Sequence, residues 1–240
     1  IGGSRTYRFL DRTKGSLIVP TTATLIWEDN TLCDFTGWGT SGSPHYMFHQ
    51  EGSFGTSSSI IVDLAVDDRT LALVSGGSNF TRGMRAFLSS DEYYTSEDDT
   101  LGTKGEWVYI GGVSGNTITL SSGLMDSYTA SGNTITLRPG TDLARGKFIN
   151  PHILGPGAFA AAATNGDRGI VIENGANAWV EGGKIWGCDM MGVYHISCVD
   201  SGRRDVLVGI DDLPARDRIQ YPLAIGNACQ NFLEENCTTV

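Results

Sequence analysis

The chain is short of nearly everything that would build a membrane span, a helical domain or a nucleic-acid surface. No apolar run approaches the ~20 residues that a helix needs to cross a bilayer. Lysine and arginine number 17 against 27 aspartates and glutamates, a net charge of −10. With no basic stripe along the sequence, the sign of the charge argues against binding a phosphate backbone. Proline is scarce at 7 residues, and the 32 glycines carry no collagen-like period, so the composition is that of a folded chain with many tight turns. Five cysteines, Cys33, Cys188, Cys198, Cys229 and Cys237, cannot all pair within one chain. None lies in a CxxC pair, and their spacings with the four histidines fit no zinc template. Cys188, Cys198, Cys229 and Cys237 each sit beside a strand-like run and read as buried free thiols.

Helical periodicity is missing too. RGMRAFLSSDEYY (82–94) comes nearest to an apolar i, i+3, i+4, i+7 pattern and ends in β-like residues. No nucleophile elbow, phosphate loop or dinucleotide fingerprint is present. His45 and His49 lie four apart with Glu51 nearby, but the surrounding glycine and proline argue against a metal-binding helix. No cofactor or metal is implied.

What remains is β-structure. Short strand-like runs recur throughout, among them ATLIW (23–27), SIIVDLAV (59–66), EWVYIGGV (106–113), GIVIE (169–173), AWVEGGKIW (178–186) and GVYHIS (192–197). Between 106 and 139, EWVYIGGV and the twice-occurring NTITL predict a local antiparallel unit around a Ser-Gly turn. From about 147 the runs repeat more regularly: GIVIE and GVYHI are 23 residues apart, and the LAI of YPLAI lies 29 beyond the YHI of GVYHI. AWVEG, DVLVG and NFLEE follow at 26 to 27 residues. An imperfect period of this size with two or three short strands per repeat predicts a solenoid of stacked parallel sheets, with a β-sandwich as the alternative. Gly175, Gly182, Gly183 and Gly187 are expected at corners. Ile170, Ile172, Val180, Ile185, Val193, Ile196, Val206, Val208, Leu223, Ile225, Phe232 and Leu233 are expected to point inward. Three regions follow: entry and first coils over 1–75, an inserted ribbon over 76–145, and further coils over 146–240.

KFINPHILGPG, GIVIENGANAWVEGGKIWGCDMMGVYHISC and YPLAIGNACQNFLEENCTTV resemble successive coils of the right-handed, single-stranded parallel β-helix of the pectate-lyase-like superfamily, and within it the bacteriophage tailspikes. FTRGMRAFLSSDEYYTSEDDTLGTKGEWVYIGGVSGNTITL is similar to that family's inserted antiparallel ribbon. The resemblance implies a homotrimeric spike on the virion tail, outside the cell. It also implies attachment to tail or baseplate proteins through a preceding region, and further coils and a trimerisation region beyond this sequence. Its expected partner is a bacterial surface polysaccharide, either lipopolysaccharide or capsule, which it recognises and in many members depolymerises. No membrane insertion and no nucleic acid are implied.

Whether the chain is an enzyme is left open by its residues. Glycoside hydrolysis commonly needs two carboxylates. Glu173, Glu181, Asp189, Asp200, Asp205, Asp211 and Asp212 are available, and Glu181 with Asp189, flanking the Trp186 strand, is the candidate catalytic pair. Lyase chemistry would need a base and an arginine, and the signature motifs of pectate lyases and polygalacturonases are absent. Trp179, Trp186, Tyr194, Arg203 and Arg204 are the candidate glycan-binding residues, with Tyr221 as a further exposed aromatic. If Val180 and Ile185 face inward, alternation puts both tryptophans outward on one coil. DSGRRD (200–205) and GIDDLPARDR (209–218) read as water-facing insertions between coils. A non-catalytic fibre or adhesin, or a secreted polysaccharide lyase or hydrolase, are the competing readings.

Overall fold

The computed structural model describes residues 5–9, 16–29, 31–38, 46–93, 103–155, 168–188, 191–209, 223–226 and 228–239. These residues are all β, with two single 3₁₀ turns and no α-helix among them. The chain divides into two compact units. One comprises residues 1–52, 144–226 and 231–240, and the other 53–143 and 227–230.

The first unit holds three parallel sheets. The first sheet stacks Thr24–Ile26, Lys147–Ile149, Trp179–Glu181, Gly202–Arg204 and Leu233–Glu235. The second stacks Arg5–Arg8, Thr31–Asp34, His152–Leu154, Lys184–Trp186, Leu207–Gly209 and Thr238–Thr239. The third stacks Leu17–Ile18, Tyr46–Glu51, Arg168–Glu173, Met191–Ile196 and Leu223–Gly226. From Thr24 onward the described strands of this unit visit first, second and third sheet in unbroken rotation. This explains why the strands are so short: each contributes one edge of a turn and then the chain must bend.

The bends fall on residues that tolerate a left-handed backbone. Each of the last four strands of the first sheet is followed by one such residue: Asn150 (φ 52°), Gly182 (φ 65°), Asp205 (φ 55°) and Asn236 (φ 51°). Asn236 Nδ2 donates to Asp205 Oδ1 at 3.2 Å, so neighbouring corners are tied together. A second column of corners, Asn177, Asp200 and Asn231, precedes the first-sheet strands in the same conformation. Asparagine and aspartate thus share the role expected of glycine. A Cβ on Gly183, at φ 86°, would also meet the Pro151 carbonyl oxygen at 2.3 Å.

Alternation along each strand sends one column of side chains inward. Phe148, Ile153, Ile170, Ile172, Val180, Ile185, Val193 and Val208 are fully buried, each burial of this kind being worth about 1.5–3 kcal/mol. Trp27, Phe35, Phe48 and Phe148 interlock in the early turns with ring centroids 5.3–6.4 Å apart. The interior also holds polar groups. Gln50 is fully buried, donating from Nε2 to the carbonyls of Pro20 and Ala23 and accepting from the Gly146 N–H.

Several inward assignments read from the repeats are corrected. Val193 pairs with Leu223 and His195 with Ile225, so YPLAI is shifted by one residue from the expected alignment, and a one-residue slip exchanges the faces of a strand. His195 is therefore inward and fully buried, while Ile196 shares a column with Glu173 on the opposite face. Leu233 pairs with Gly202 and lies outward, 48 % exposed. Ile225 occupies the inward column but is 49 % exposed, no described strand stacking beyond it. AWVEG and DVLVG are not equivalent either: Val180 pairs with Arg203, and Leu207–Gly209 belongs to the second sheet.

The second unit is a seven-stranded antiparallel sheet. Thr103–Ser114 pairs with Thr117–Leu120 around the expected Ser-Gly turn, and with Arg85–Tyr93 on its other side. Alternate residues such as Leu88, Val108, Ile118, Ile135 and Leu137 build its core. Glu106 is buried among them, accepting from the N–H groups of Met125 and Asp126 and from Tyr128 Oη.

Candidate functional site

The parallel sheets present side chains on the faces opposite their buried columns, and the predicted site residues distribute over three separate surfaces. On the first sheet, Lys147, Trp179, Gly202 and Leu233 form one outward column. Ile149, Glu181, Arg204 and Glu235 form the other. Trp179 is half-buried because its indole lies over Gly202, where a Cβ would come within 2.7 Å of the ring.

Glu181 sits between two cations from the strands on either side of it. Lys147 Nζ donates to Oε1 at 3.0 Å and an Arg204 guanidinium nitrogen donates to Oε2 at 3.1 Å. Burial of the carboxyl acts to raise its pKa, but the two hydrogen bonds and the positive charges behind them outweigh it and hold the group below its ordinary value. A carboxylate held ionised in this way binds well and is a poor proton donor. Asp189, its expected catalytic partner, lies outside the described residues, as do Asp211, Asp212, Arg216, Arg218 and Tyr221. Asp200 and Asp205 are corner residues whose carboxylates accept the side-chain amides of Asn231 and Asn236.

Arg203 does not join Arg204 on the surface. Gly202–Arg204 is a strand and not a water-facing insertion, and alternation turns Arg203 inward, 2 % exposed, in the column Phe148, Val180, Arg203, Glu234. It is ion-paired with Glu234, donates to the Ala224 carbonyl at 3.0 Å and stacks over Phe232. The same burial, with the Arg203 charge beside it, pushes the pKa of His195 down to about 3.

Trp186 faces outward from the second sheet, with Lys184 Nζ 5.8 Å from its ring centroid. Between Trp179 and Trp186 the chain turns through Gly182 and Gly183, so the two tryptophans belong to one turn but to different sheets.

Tyr194 stands on the third sheet in the richest polar surroundings. The Arg168 guanidinium lies 5.4 Å from the Tyr194 ring centroid and 5.2 Å from that of Tyr46, and donates to Tyr46 Oη at 3.0 Å. The Tyr46 ring packs edge-on against His49, centroids 4.7 Å apart. Glu51 and Glu173 are paired residues on adjacent strands of this sheet. His49 Nε2 lies 3.5 Å from a Glu173 carboxylate oxygen and 4.0 Å from one of Glu51. Sequence reasoning noticed Glu173 as a candidate carboxylate and His49 with Glu51 only as neighbours. Nothing in the sequence joined them, because 122 positions separate Glu51 from the Glu173 it pairs with. Among the described residues no group of three His, Cys, Asp or Glu side chains is arranged to hold a metal ion.

Neither a protein-family model nor a curated protein matches the chain in sequence. Solved structures do match in fold, and three of them are phage tailspikes. The tailspike protein gp49 of Pseudomonas phage LKA1 superposes with a TM-score of 0.56 at 18 % identity, over 93 % of this chain and 34 % of its own. The Gp54 tailspike of Acinetobacter baumannii bacteriophage AP22, solved in complex with A. baumannii capsular saccharide, gives 0.55 at 15 % identity over 98 % of this chain and 40 % of its own. The Pseudomonas phage phi297 tailspike gp61 gives 0.55 at 12 % identity, covering 96 % and 41 %. The chain thus resembles phage tailspikes in fold and spans between about a third and two fifths of the length of these three.

Proposed function

We propose that the chain is part of a bacteriophage tailspike, and that its first unit is a right-handed parallel β-helix whose outer faces bind a bacterial surface polysaccharide. The rotation of strands through three parallel sheets carries this reading, because it yields long outward faces on which sugars can lie. The likeness in fold to three tailspikes, one of them solved with a capsular saccharide, supports it. Trp179, Trp186, Tyr194 and Arg204 are the side chains assigned to glycan contact, since an aromatic ring offers an apolar face to a sugar ring while the charged neighbours meet its hydroxyls. Glu181, paired with Lys147 and Arg204, is assigned to binding in place of proton transfer. Homotrimeric assembly, attachment to other tail proteins and a position on the virion outside the cell complete the proposal.

The test is capture of purified capsular polysaccharides and lipopolysaccharides from a panel of bacterial strains by the immobilised protein. The reading expects saturable binding to the glycan of one strain or a few related strains. Failure to bind any glycan of a panel that includes the phage's own host would refute it.

A further inference from the structure

On the outer face of the second sheet, among the described residues, stands a lysine that no carboxylate neutralises. His152, Lys184 and Leu207 pair in one outward column and Leu154, Trp186 and Gly209 in the other, alternating with the fully buried Ile153, Ile185 and Val208. Adjacent strands of such a sheet lie ~4.8 Å apart, so the half-buried Leu154 extends the apolar surface of Trp186 by one strand. Lys184 is exposed, and its Nζ lies 5.8 Å from the Trp186 ring centroid, at the outer limit of attraction between a cation and a ring. Cations on the other two faces are held by their neighbours: Lys147 and Arg204 donate to Glu181, and Arg168 donates to Tyr46 Oη. Beside Leu154 the Asp34 carboxylate is likewise engaged, accepting from the N–H and Oγ1 of Thr36 and lying 3.4 Å from Arg8. Burial and then the Lys184 charge push the pKa of His152 below its ordinary value, against an opposite pull from Asp29. At neutral pH the imidazole is therefore uncharged, and the ammonium supplies the positive charge beside Trp186.

We propose that Lys184 and Trp186 form a subsite selective for a carboxylated sugar, so that the polysaccharide this chain binds is an acidic one, an inference that rests on the polysaccharide-binding reading above. A sugar ring lies on the apolar surface of Trp186 and Leu154, and the carboxylate it bears accepts from the Lys184 ammonium. The ammonium suits this task because it is a compact charge with three donors on a flexible stem. Hydrogen bonds between ionised partners are also roughly twice as strong as those between neutral ones. A neutral sugar stacks on the same ring and leaves the ammonium in water, so the discrimination comes from Lys184 and the affinity for the ring from Trp186. The net charge of −10 repels an acidic polymer at a distance. Salt at 0.1 M screens that repulsion beyond ~10 Å, whereas the contact with Lys184 is made at hydrogen-bond range. The repulsion that remains acts against polyanions that do not offer a ring and a carboxylate together.

The experiment uses the full-length protein with the polysaccharide that it captures from the panel of purified capsules and lipopolysaccharides, before and after chemical reduction of the sugar carboxylates to alcohols. Dissociation constants are measured at low and at high salt, and sugar analysis of the captured polymer tells a uronic acid from a nonulosonic acid. The expected result is that reduction weakens binding by the parent about 2- to 5-fold at low salt, and less at high salt. Lys184→Gln is expected to melt like the parent, to bind the native polymer as weakly as the parent binds the reduced one, and to show no further loss on reduction. Lys184→Arg, which keeps the charge, is expected to keep the preference. A captured polysaccharide without carboxylates, or equal binding of native and reduced polymer by the parent, would overturn the acidic-sugar assignment and leave the binding reading standing. A preference for the native polymer that persists in Lys184→Gln would overturn the choice of residue. Capture of no polysaccharide would overturn both readings together.

Discussion

Trp179 covers Gly202, the residue paired with it on the next strand, so closely that a Cβ there would lie 2.7 Å from the indole and 2.3 Å from the Leu233 carbonyl oxygen. A backbone and a tryptophan would both have to move. Gly202→Ala is therefore expected to lower unfolding stability by about 1–3 kcal/mol in denaturant titration. An unchanged midpoint would show that the indole does not rest on this glycine.

Arg203 and Glu234 make the opposite kind of contact, an ion pair between a buried guanidinium and a carboxylate that is 41 % exposed. Glu234→Ala leaves the guanidinium with the Val193 and Ala224 carbonyls and the Phe232 ring, and is expected to cost roughly 1–3 kcal/mol. Adding Arg203→Met to that variant removes the stranded charge and should recover most of the loss. Equal stability of the single and double variants would show that Glu234 does not offset the buried Arg203 charge.

Glu181 gives a pH dependence of known sign. Its folded carboxyl lies below the ordinary 4.5, so the unfolded chain holds the proton more tightly and the Lys147 and Arg204 contacts stabilise the fold above that pH. The contribution is lost as pH falls through and below it. Glu181→Gln should cost ~0.5–1 kcal/mol at neutral pH, less at high salt, with the difference from the parent shrinking as pH falls through and below the ordinary carboxylate range.

His195 acts over a different window. With a folded pKa of about 3 against an ordinary 6.5, the unfolded state binds the extra proton between those values, so stability falls as pH is lowered from 6.5 towards 3. The slope from this one group is at most ~1.4 kcal/mol per pH unit. His195→Leu should flatten the acid limb of a stability profile, and a parallel limb would contradict the assignment.

The sequence was legible where apolar residues alternate and repeat. GIVIE and GVYHI, 23 apart, are neighbours in the third sheet, and the EWVYIGGV and NTITL hairpin lies where the turn residues put it. Legibility failed where the repeat length varies: the pairs Phe148–Val180, Val180–Arg203 and Arg203–Glu234 are 32, 23 and 31 positions apart. An average period therefore aligned Val180 with Val206 and slipped YPLAI by one residue. Arg203 was misplaced because a charged residue gives no apolar signal for an inward position. The Glu51–Glu173 pair was out of reach because an entire second unit separates its halves along the chain.

The most direct test of the account is the structure of the full-length protein bound to an oligosaccharide cut from the polysaccharide it captures. The account predicts sugar rings on the outer faces of the parallel sheets, with a ring beside Tyr194, Trp179 or Trp186. An oligosaccharide bound away from all three outer faces would contradict it.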